Sequence, residues 1–337
     1  MARWASSALP RVLSNNSATS RLLLIYDFAS QPFSVGDMLI FQEAGLVLCE
    51  QHGLARVDFA AVYDPGKPVV EDPAFAHIDA ESFLYHLSSI LPAAQANPKL
   101  GSLMLFDSRD TLESYVADNI ARYLVWPALA DYASGEYLFY RAFRELFLPH
   151  FHRYGRLPAL GARPAAARWA QRFLAERAGD GQPVTVQLRR NPANPARDSV
   201  YEAWLELFRS VAGRYPAKFV VICGPTEVDP RLREIDNVIV AKDAYTSLEQ
   251  DLALIEAAAA HMGASSGPGT IALFGRKPFC IFGLDLQPAL MGGLIEDGRY
   301  VRFPFSLPNQ NWIREKETAA ILVQEFQKIW TAIPDKQ

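Results

Sequence analysis

The sequence predicts an α/β protein with two Rossmann-like domains, each a doubly wound parallel sheet, that face each other across a cleft. Short apolar runs alternate with stretches of helical periodicity, which is the pattern of parallel strands joined by crossover helices. A Gly- and Pro-rich stretch at residues 154–166 interrupts the alternation, which then starts again. A chain of 337 residues is long enough for two domains. Because ligands of such sheets bind beyond the carboxyl ends of the strands, we expect the functional site in the cleft.

The first half contains three predicted strands with helices between them. RLLLIYDF at 21–28 is a compact apolar run followed by polar residues and a proline, which is typical of a buried strand. The segment at 38–53 has helical periodicity, which Gly53 ends. By the same criteria the sequence predicts strands at 57–65 and 102–108, a helix at 81–93, and a helical, aromatic-rich segment at 110–153.

The second half repeats the alternation. Ser247 and Gln250 resemble a capping box and so predict the start of a helix. The predicted strands of this half lie at 183–190, 218–225, 237–243 and 277–283, with HMGASS as a short strand or turn. The predicted helices lie at 199–216, 247–259, 269–276 and 314–333. The expected divisions are a tail at 1–20, an N-terminal domain at 21–160, a C-terminal domain at 161–315 and a C-terminal helix at 316–337.

Composition excludes several classes of protein. The net charge of −4 provides no strong field to attract nucleic acid. The three cysteines lie far apart, without disulfide or metal-ligand spacing, and we expect buried thiols. No uncharged apolar run reaches the length of about 18 residues that a membrane span needs. The N-terminus lacks the apolar core of a cleaved signal, so we expect a cytoplasmic protein. Peripheral association with the inner face of a membrane stays open.

Several common motifs are missing from the sequence. It contains no phosphate-binding G-x-x-x-x-G-K-[ST] loop, no G-x-G-x-x-G after the first strand, no HExxH, no paired CxxC and no D-x-D. These absences argue against P-loop NTPases, ordinary dinucleotide dehydrogenases, zinc hydrolases and metal-dependent sugar transferases. We therefore expect neither a cofactor nor a metal.

The stretch MGASSGPGTIALFG at 262–275 allows two interpretations. It contains G-x-S-x-G, the pattern of a hydrolase nucleophile elbow centred on Ser265. A hydrolase of that fold places its histidine after the serine, and none of the six histidines follows Ser265. No long apolar strand leads into the motif either. The order of residues therefore disfavours a serine hydrolase.

The second interpretation is an anion-binding turn at the start of a helix. Small and hydroxylated residues precede an apolar helical run, and Pro268 suits a first helical turn. Free backbone N–H groups and the helix dipole would attract negative charge there. The candidate residues are Ser265, Ser266, Gly267, Gly269 and Thr270. The alternative is an ordinary helix cap that binds no ligand.

Basic residues follow one of the predicted strands. Arg189 and Arg190 end the strand at 183–190 and so lie at the edge of the expected crevice. Alternation along a strand directs them to opposite sides, so at most one easily reaches a given phosphate. A guanidinium group suits a diphosphate because it can bond two oxygens at once. Arg197 is a weaker candidate, and exposed arginines paired with surface carboxylates are the alternative.

An aspartate lies at the start of the first predicted helix. Asp37 follows Gly36 in the segment FSVGDMLIF. It is either a helix cap or a carboxylate at the edge of the cleft. In the second case it could act as a general base on an acceptor hydroxyl.

Together these segments resemble the bacterial lipopolysaccharide heptosyltransferases, which are GT-B glycosyltransferases. FSVGDMLIF is similar to that family's S-x-G-D-x-L segment, whose aspartate is the proposed catalytic base and falls on Asp37. SLEQDLALIEAAAAHMGASSGPGTIALFGRKPFCIFG is similar to the donor segment, in which D-S/T-G-P-x-H precedes an apolar helix, G-K-P and a strand ending in F-G. The family's aspartate and histidine in that motif fall on Ser265 and Thr270. QLRR also resembles the arginine-bearing strand of fucosyltransferases that use GDP-fucose.

The resemblance implies a bacterial glycosyltransferase of lipopolysaccharide or polysaccharide biosynthesis that transfers a hexosyl or heptosyl group with inversion. The donor would be a nucleoside-diphosphate sugar, ADP- or GDP-linked, with its base near Gly224, Pro225 and Tyr245. The acceptor would be a glycan or a lipid-linked glycan on the N-terminal half, against the aromatic segment 120–155. The fold also implies that the last helix crosses back to that half. A nucleotide-sugar epimerase and a non-catalytic nucleotide-sugar-binding or scaffold protein remain alternatives.

Overall fold

The computed structural model describes residues 20–129, 131, 137–191, 195–283 and 293–333. Apart from residue 20, the predicted N-terminal tail lies outside the described residues. Within them the chain forms two sheets, one from each half, with helices packed on them. The predicted α/β class is confirmed. The sheets lie on either side of the predicted boundary between residues 160 and 161, and the boundary itself remains a prediction.

The first sheet contains four parallel strands in the order β3-β2-β1-β4. Leu24 at its centre lies opposite Phe59 on one side and Trp126 on the other. The strands are β1 (Arg21–Asp27), β2 (Arg56–Val62), β3 (Leu100–Phe106) and β4 (Tyr123–Trp126). The sequence did not predict β4, which lies within the segment expected to be helical. Its four residues are too few to show a period of two.

The second sheet has eight strands in the order β10-β11-β12-β9-β8-β5-β6-β7. Strands β5 to β9 are parallel, β12 joins β9 in parallel, and β10 and β11 add an antiparallel edge. The strands are β5 (Gln182–Gln187), β6 (Ala217–Ile222), β7 (Val238–Val240), β8 (Ala260–Ala264), β9 (Phe279–Phe282), β10 (Ile295–Asp297), β11 (Tyr300–Arg302) and β12 (Gln310–Ile313). The last three are short, and the sequence did not predict them.

Ten α-helices connect or flank the strands within the described residues, besides short 3-10 helices. They are α1 (Val35–His52), α2 (Phe83–Ile90), α3 (Arg109–Asn119), α4 (Leu138–Arg141), α5 (Leu148–Tyr154), α6 (Pro164–Ala178), α7 (Tyr201–Val211), α8 (Leu248–Ala257), α9 (Thr270–Leu273) and α10 (Ala319–Ala332). A π-helical stretch, Ala142–Phe147, joins α4 to α5 in one continuous run. The sequence did not predict α6, because its first residue, Pro164, lies in the Gly- and Pro-rich stretch interpreted as a boundary. Proline at a first helical position starts a helix rather than preventing one.

Helix α1 is the central helix of the N-terminal half. Ser34 caps its start by accepting the N–H of Asp37, and Gly53 ends it with a left-handed φ of 65°. Every residue from Met38 to Cys49 is buried. The helix therefore has no solvent face, and its start is fixed against the core.

Two helices differ from their predictions. Helix α9 is a single turn, although the sequence predicts a helix over 269–276. The final helix packs on α7 of the C-terminal half instead of crossing back to the N-terminal half. Its buried face carries Leu322 and Phe326, and the Phe326 ring lies 5.4 Å from that of Phe219 on β6. These aromatic contacts bury the apolar face of α10 within the second domain.

The two halves both contribute to the largest of the three buried hydrophobic clusters in the described residues. The largest buried cluster contains Leu24 and Phe41 of the first half together with Ile222 and Leu254 of the second. Helix α8 packs on the segment that follows α2. The cleft therefore lies between halves that are already in contact.

Candidate active site

A cavity of about 480 Å³ lies where the two halves meet. Its N-terminal side is formed by the loop after β1, the start of α1, the segment around Phe75 and the α4 region. Its C-terminal side is formed by the loops after β5 and β8, together with Phe303 and Trp312. These loops leave the carboxyl ends of parallel strands, which is where a ligand is expected in such sheets.

Two glycines allow the halves to approach closely at this cavity. A Cβ on Gly267 would lie 2.8 Å from the Cβ of Val35 and 3.0 Å from the N of Gly36. A Cβ on Gly36 would lie 3.1 Å from Oγ1 of Thr270. The loop that carries Ser265 to Thr270 therefore contacts the start of α1 directly, through positions where a larger residue would clash.

Asp37 lines the cavity and is held by two hydroxyl groups. The Ser34 hydroxyl donates to Oδ2, and the Tyr137 hydroxyl donates to Oδ1. The cap of the helix is Ser34, and Asp37 lies in the first turn, three residues further on. Burial raises the pKa of Asp37, while Ser34, Tyr137 and Arg197 act in the opposite direction. The carboxylate is thus oriented and partly desolvated.

Arg197 lies closer to the predicted anion site than the sequence suggested. Its guanidinium donates to the carbonyl of Ser265 at 2.8 Å and to the Ser265 hydroxyl at 3.2 Å. Its Nε is buried and has no partner among the described residues. From the sequence alone Arg197 is only a weaker candidate, in the loop that follows Arg189 and Arg190.

Arg189 lies beside it. Its side chain is 12% exposed, and its Nη1 is 3.6 Å from Oδ1 of Asp198. Burial, followed by the charge of Arg197, lowers the pKa of Arg189. Two neighbouring guanidinium groups in a partly buried cavity repel each other, and an anion bound between them would relieve that repulsion.

Arg190 does not line the cavity. Its guanidinium lies over the Tyr201 ring, 4.2 Å from the centroid, and its Nη2 is 3.8 Å from the Asp229 carboxylate. The strand β5 ends before both arginines, at Gln187. Even so, only one of this adjacent pair, Arg189, enters the cavity.

The residues predicted to lie near the nucleobase are outside the cavity. The N–H of Gly224 donates to the Glu227 carboxylate, and Pro225 begins a short 3-10 helix. Tyr245 is 93% exposed and has a left-handed φ of 54°. Their role at a nucleobase remains a prediction.

The loop from Ser265 to Thr270 is the floor of the C-terminal side. Ser265, Ser266, Gly267 and Thr270 line the cavity. Among the described residues, the backbone N–H groups of Ser266 and Gly267 have no acceptor. Because α9 is one turn long, its dipole is small. An anion would therefore be held by these N–H groups and the two arginines, and not by a long helix.

Gly269 of this loop packs against the buried side chain of His261 on β8. A Cβ on Gly269 would lie 3.1 Å from Nε2 of His261, which is itself buried. Nδ1 of His261 is 3.0 Å from the Thr185 hydroxyl, and burial lowers the pKa of His261 to about 3. The histidine is therefore neutral, and it packs under the loop without lining the cavity.

The composition of the lining restricts the chemistry. Among the described residues that line the cavity, Asp37 is the only carboxylate, and Arg189 and Arg197 are the only cations. The described residues contain no cluster of three or more His, Cys, Asp or Glu suited to a metal ion. None of the described helices has the length and apolar character to cross a membrane. Tyr137, Phe139 and Tyr140 also line the cavity and lie within the aromatic segment 120–155, against which the resemblance places the acceptor, but no pattern in the sequence singles out these individual residues.

Two facing Rossmann-like domains with a site between them define the GT-B arrangement. The chain is similar in structure to a glycosyl transferase of family 9 from Veillonella parvula, with a TM-score of 0.53 and 12% identity over 94% of this chain and 90% of that one. It is also similar to the E. coli ADP-heptose lipopolysaccharide heptosyltransferase II, with a TM-score of 0.52 and 12% identity over 92% of this chain and 98% of that one. The chain therefore has the fold of these glycosyltransferases. No protein-family model and no curated protein sequence matches it.

Proposed function

We propose that this protein is a glycosyltransferase that moves a sugar from a nucleoside-diphosphate donor to a hydroxyl of a glycan or lipid-linked glycan acceptor. One observation carries the proposal. Asp37 lines the same cavity as Arg189 and Arg197 and as Ser266 and Gly267, whose backbone N–H groups have no acceptor in the part of the chain that the structure describes. A base and an anion site in one cavity are what transfer from a diphosphate requires.

The proposed reaction is a single displacement. Asp37 removes the proton of the acceptor hydroxyl while that oxygen forms a bond to the anomeric carbon of the donor sugar. The bond between this carbon and the diphosphate oxygen breaks, and its electron pair leaves with the diphosphate. The arginines and the loop N–H groups stabilise the negative charge that develops there. One displacement inverts the configuration at the anomeric carbon.

The environment of Asp37 suits this role. Burial raises the pKa of Asp37, which makes the carboxylate a stronger base. The hydroxyl groups of Ser34 and Tyr137 favour the ionised form and fix its direction. The epimerase alternative would need further acid and base groups, and the described lining offers no second carboxylate, histidine or lysine.

The donor is proposed to be ADP- or GDP-linked. The similar E. coli enzyme is described as an ADP-heptose heptosyltransferase, which supports a nucleoside-diphosphate donor here. Ser265 and Thr270 occupy the positions of the family's aspartate and histidine, so the sugar that this chain selects is proposed to differ. We further propose that the protein works in the cytoplasm, peripherally at the membrane when its acceptor is lipid-linked.

Nucleotide binding followed by transfer tests the proposal. ADP or GDP should raise the melting temperature, whereas a response to CMP alone would contradict a diphosphate site. Asp37→Asn should lower transfer at least about 100-fold and leave nucleotide binding intact. The matched control is Asp110→Asn, at an exposed aspartate in the first turn of α3. Nucleotide binding without transfer or donor hydrolysis by the wild type would favour the non-catalytic alternative.

A further inference from the structure

The N-terminal side of the cavity presents aromatic rings. Phe75, Tyr137, Phe139 and Tyr140 line it and are partly exposed, and we call these four residues the aromatic wall. The rings of Tyr137 and Phe139 are stacked, with centroids 5.3 Å apart and planes at 14°. Tyr140 meets Phe139 edge to face at 5.2 Å. Because the rings of Tyr137, Phe139 and Tyr140 pack on one another, this part of the wall is a preformed apolar surface beside Asp37.

The charges of the cavity are divided between its two sides. Asp37 is the only charged residue among the described lining of the N-terminal half. Arg189 and Arg197 lie on the opposite side, where Arg197 is bonded to Ser265. A diphosphate bound there would neutralise both guanidinium groups. The side that faces the acceptor would then offer an anionic group to bind its hydroxyl but no cation for a negatively charged substituent.

We propose that the acceptor presents an uncharged sugar ring, which lies on the aromatic wall and directs one hydroxyl at Asp37. This inference rests on the proposed function and specifies its acceptor. The C–H groups on the apolar face of a sugar carry slight positive charge and suit the negative face of an aromatic ring. A phosphate or carboxylate on the same ring would be desolvated beside Asp37 without a partner, which is costly.

The cavity is large enough to hold an acceptor sugar ring on one side and a donor diphosphate on the other. Ligand cavities commonly measure about 300 to 1,000 Å³. At about 480 Å³ the cavity has room for one sugar ring against the wall and the diphosphate end of a donor opposite. The rest of a longer acceptor or donor would extend outside it.

A matched pair of probes tests the inference. Phenyl β-D-glucopyranoside and its 6-phosphate are titrated by NMR against protein saturated with ADP or GDP. The neutral ring should bind at least about 10-fold more tightly than the phosphorylated ring, because only the latter brings an unpaired charge to Asp37. Equal or tighter binding of the phosphorylated ring would overturn the inference, as would no binding of either ring.

Substitutions in the aromatic wall test whether the neutral sugar ring binds there. Phe139→Ala and Phe75→Leu should each weaken binding of the neutral ring about 5-fold or more, since each removes ring area from the wall. Tyr85→Ala is the control, because Tyr85 is 78% exposed on the same half and does not line the cavity. Phe139→Arg should reverse the preference toward the phosphorylated ring. Unchanged ring binding in both Phe139→Ala and Phe75→Leu would contradict the assignment.

The outcome is separable from that of the proposed function. Nucleotide binding is measured first and without a sugar probe. If neither ADP nor GDP binds but the neutral ring still binds at the wall, the donor site is wrong and the ring site stands. If nucleotide binds and sugar is transferred, but the preferred acceptor is anionic, the function stands and the inference fails.

Discussion

Asp37 is held from both sides by residues that come from different parts of the chain. Ser34 lies three residues before it and Tyr137 lies 100 residues after it. The Ser34 contact is local and follows from a serine at the cap with an aspartate three residues on. The Tyr137 contact depends on the tertiary fold, and no local pattern in the sequence indicates it.

Tyr137→Phe should shift the pH dependence of transfer. The Tyr137 hydroxyl donates to the ionised carboxylate and so lowers the pKa of Asp37. Its removal should raise that pKa, and the acid limb of the profile of kcat/KM should move to higher pH. Titration of the Asp37 carboxyl carbon by NMR measures the same change without a substrate. Tyr63→Phe is the control, because the Tyr63 hydroxyl bonds to Ala80 outside the cavity. An unmoved profile and titration would show that Tyr137 does not act on Asp37.

Glu43 is the second residue whose environment makes a prediction. It lies on α1 with its side chain fully buried, and both carboxyl oxygens lack a partner among the described residues. Burial, with the nearby charge of Glu50, raises the pKa of Glu43 well above its usual value of 4.5. Between 4.5 and the raised value, the folded protein keeps a proton that the unfolded chain has lost. The free energy of unfolding therefore falls as pH rises through this window.

Glu43→Met should increase the free energy of unfolding because methionine has no polar group to leave unpaired. At pH values above the raised pKa of Glu43, we expect an increase of about 1 to 3 kcal/mol. The gain should be larger at pH 8 than at pH 5, as measured by urea unfolding. Glu206→Met, at an exposed glutamate of α7, should change little at either pH. A gain that is independent of pH would mean that the Glu43 carboxyl does not titrate as its burial implies.

At the scale of elements, the loop before α9 shows what a local pattern can and cannot predict. The small residues of SSGPGT indicate a tight turn, and the structure has one. The apolar run TIALFG suggests a longer helix, but the helix stops after one turn, and Gly275 follows before β9 begins. The length of a short apolar run does not distinguish one turn from three. The contact of this loop with α1 depends on residues more than 200 positions apart.

Gly267→Ala should separate the loop from α1. The added Cβ would lie 2.8 Å from the Val35 side chain and 3.0 Å from the Gly36 backbone, so one of the segments must shift. We expect a loss of about 1 to 3 kcal/mol in stability, as for other overpacked sites. Nucleotide affinity should fall as well, because the loop carries the unpaired N–H groups. Gly275→Ala is the control, since its Cβ would make only an ordinary contact at 3.4 Å with the Ala272 carbonyl oxygen. Wild-type melting and nucleotide binding in Gly267→Ala would contradict the close approach.

At the scale of the whole molecule, the sequence predicts the two sheets and the cleft because the longer buried strands, such as RLLLIYD of β1 and AKFVVI of β6, contain clear apolar runs. It does not predict the edge strands β4 and β10, which are four and three residues long. The packing of α10 also required the structure, because an amphipathic helix specifies an apolar face but not its partner. The candidate site likewise contains residues that the sequence predicts and residues that only the structure reveals. The sequence predicts Asp37, the 265–270 loop and the aromatic segment 120–155, whereas Arg197 is only a weaker candidate, and the arrangement of the individual aromatic rings requires the fold.

The shared buried cluster predicts that the two halves unfold together. Cys49 lies in the first half, Cys223 and Cys280 lie in the second, and all three thiols are buried. Since the largest buried cluster joins residues of both halves, loss of either half exposes the residues that the other contributes to this cluster. In the second half the sheet residues of this cluster lie on the face opposite the Cys223 and Cys280 thiols, and we expect their exposure to unfold the rest of that half with them. Thiol labelling along a urea series, read by mass spectrometry of each peptide, should show one midpoint for all three cysteines.

Phe274→Ala removes a contact with Phe147 across the halves, where the rings are 5.6 Å apart, and should separate the midpoints. If Cys49 is labelled at a different urea concentration from Cys223 and Cys280 in the wild type, the halves are independent folding units and the shared buried cluster does not couple them.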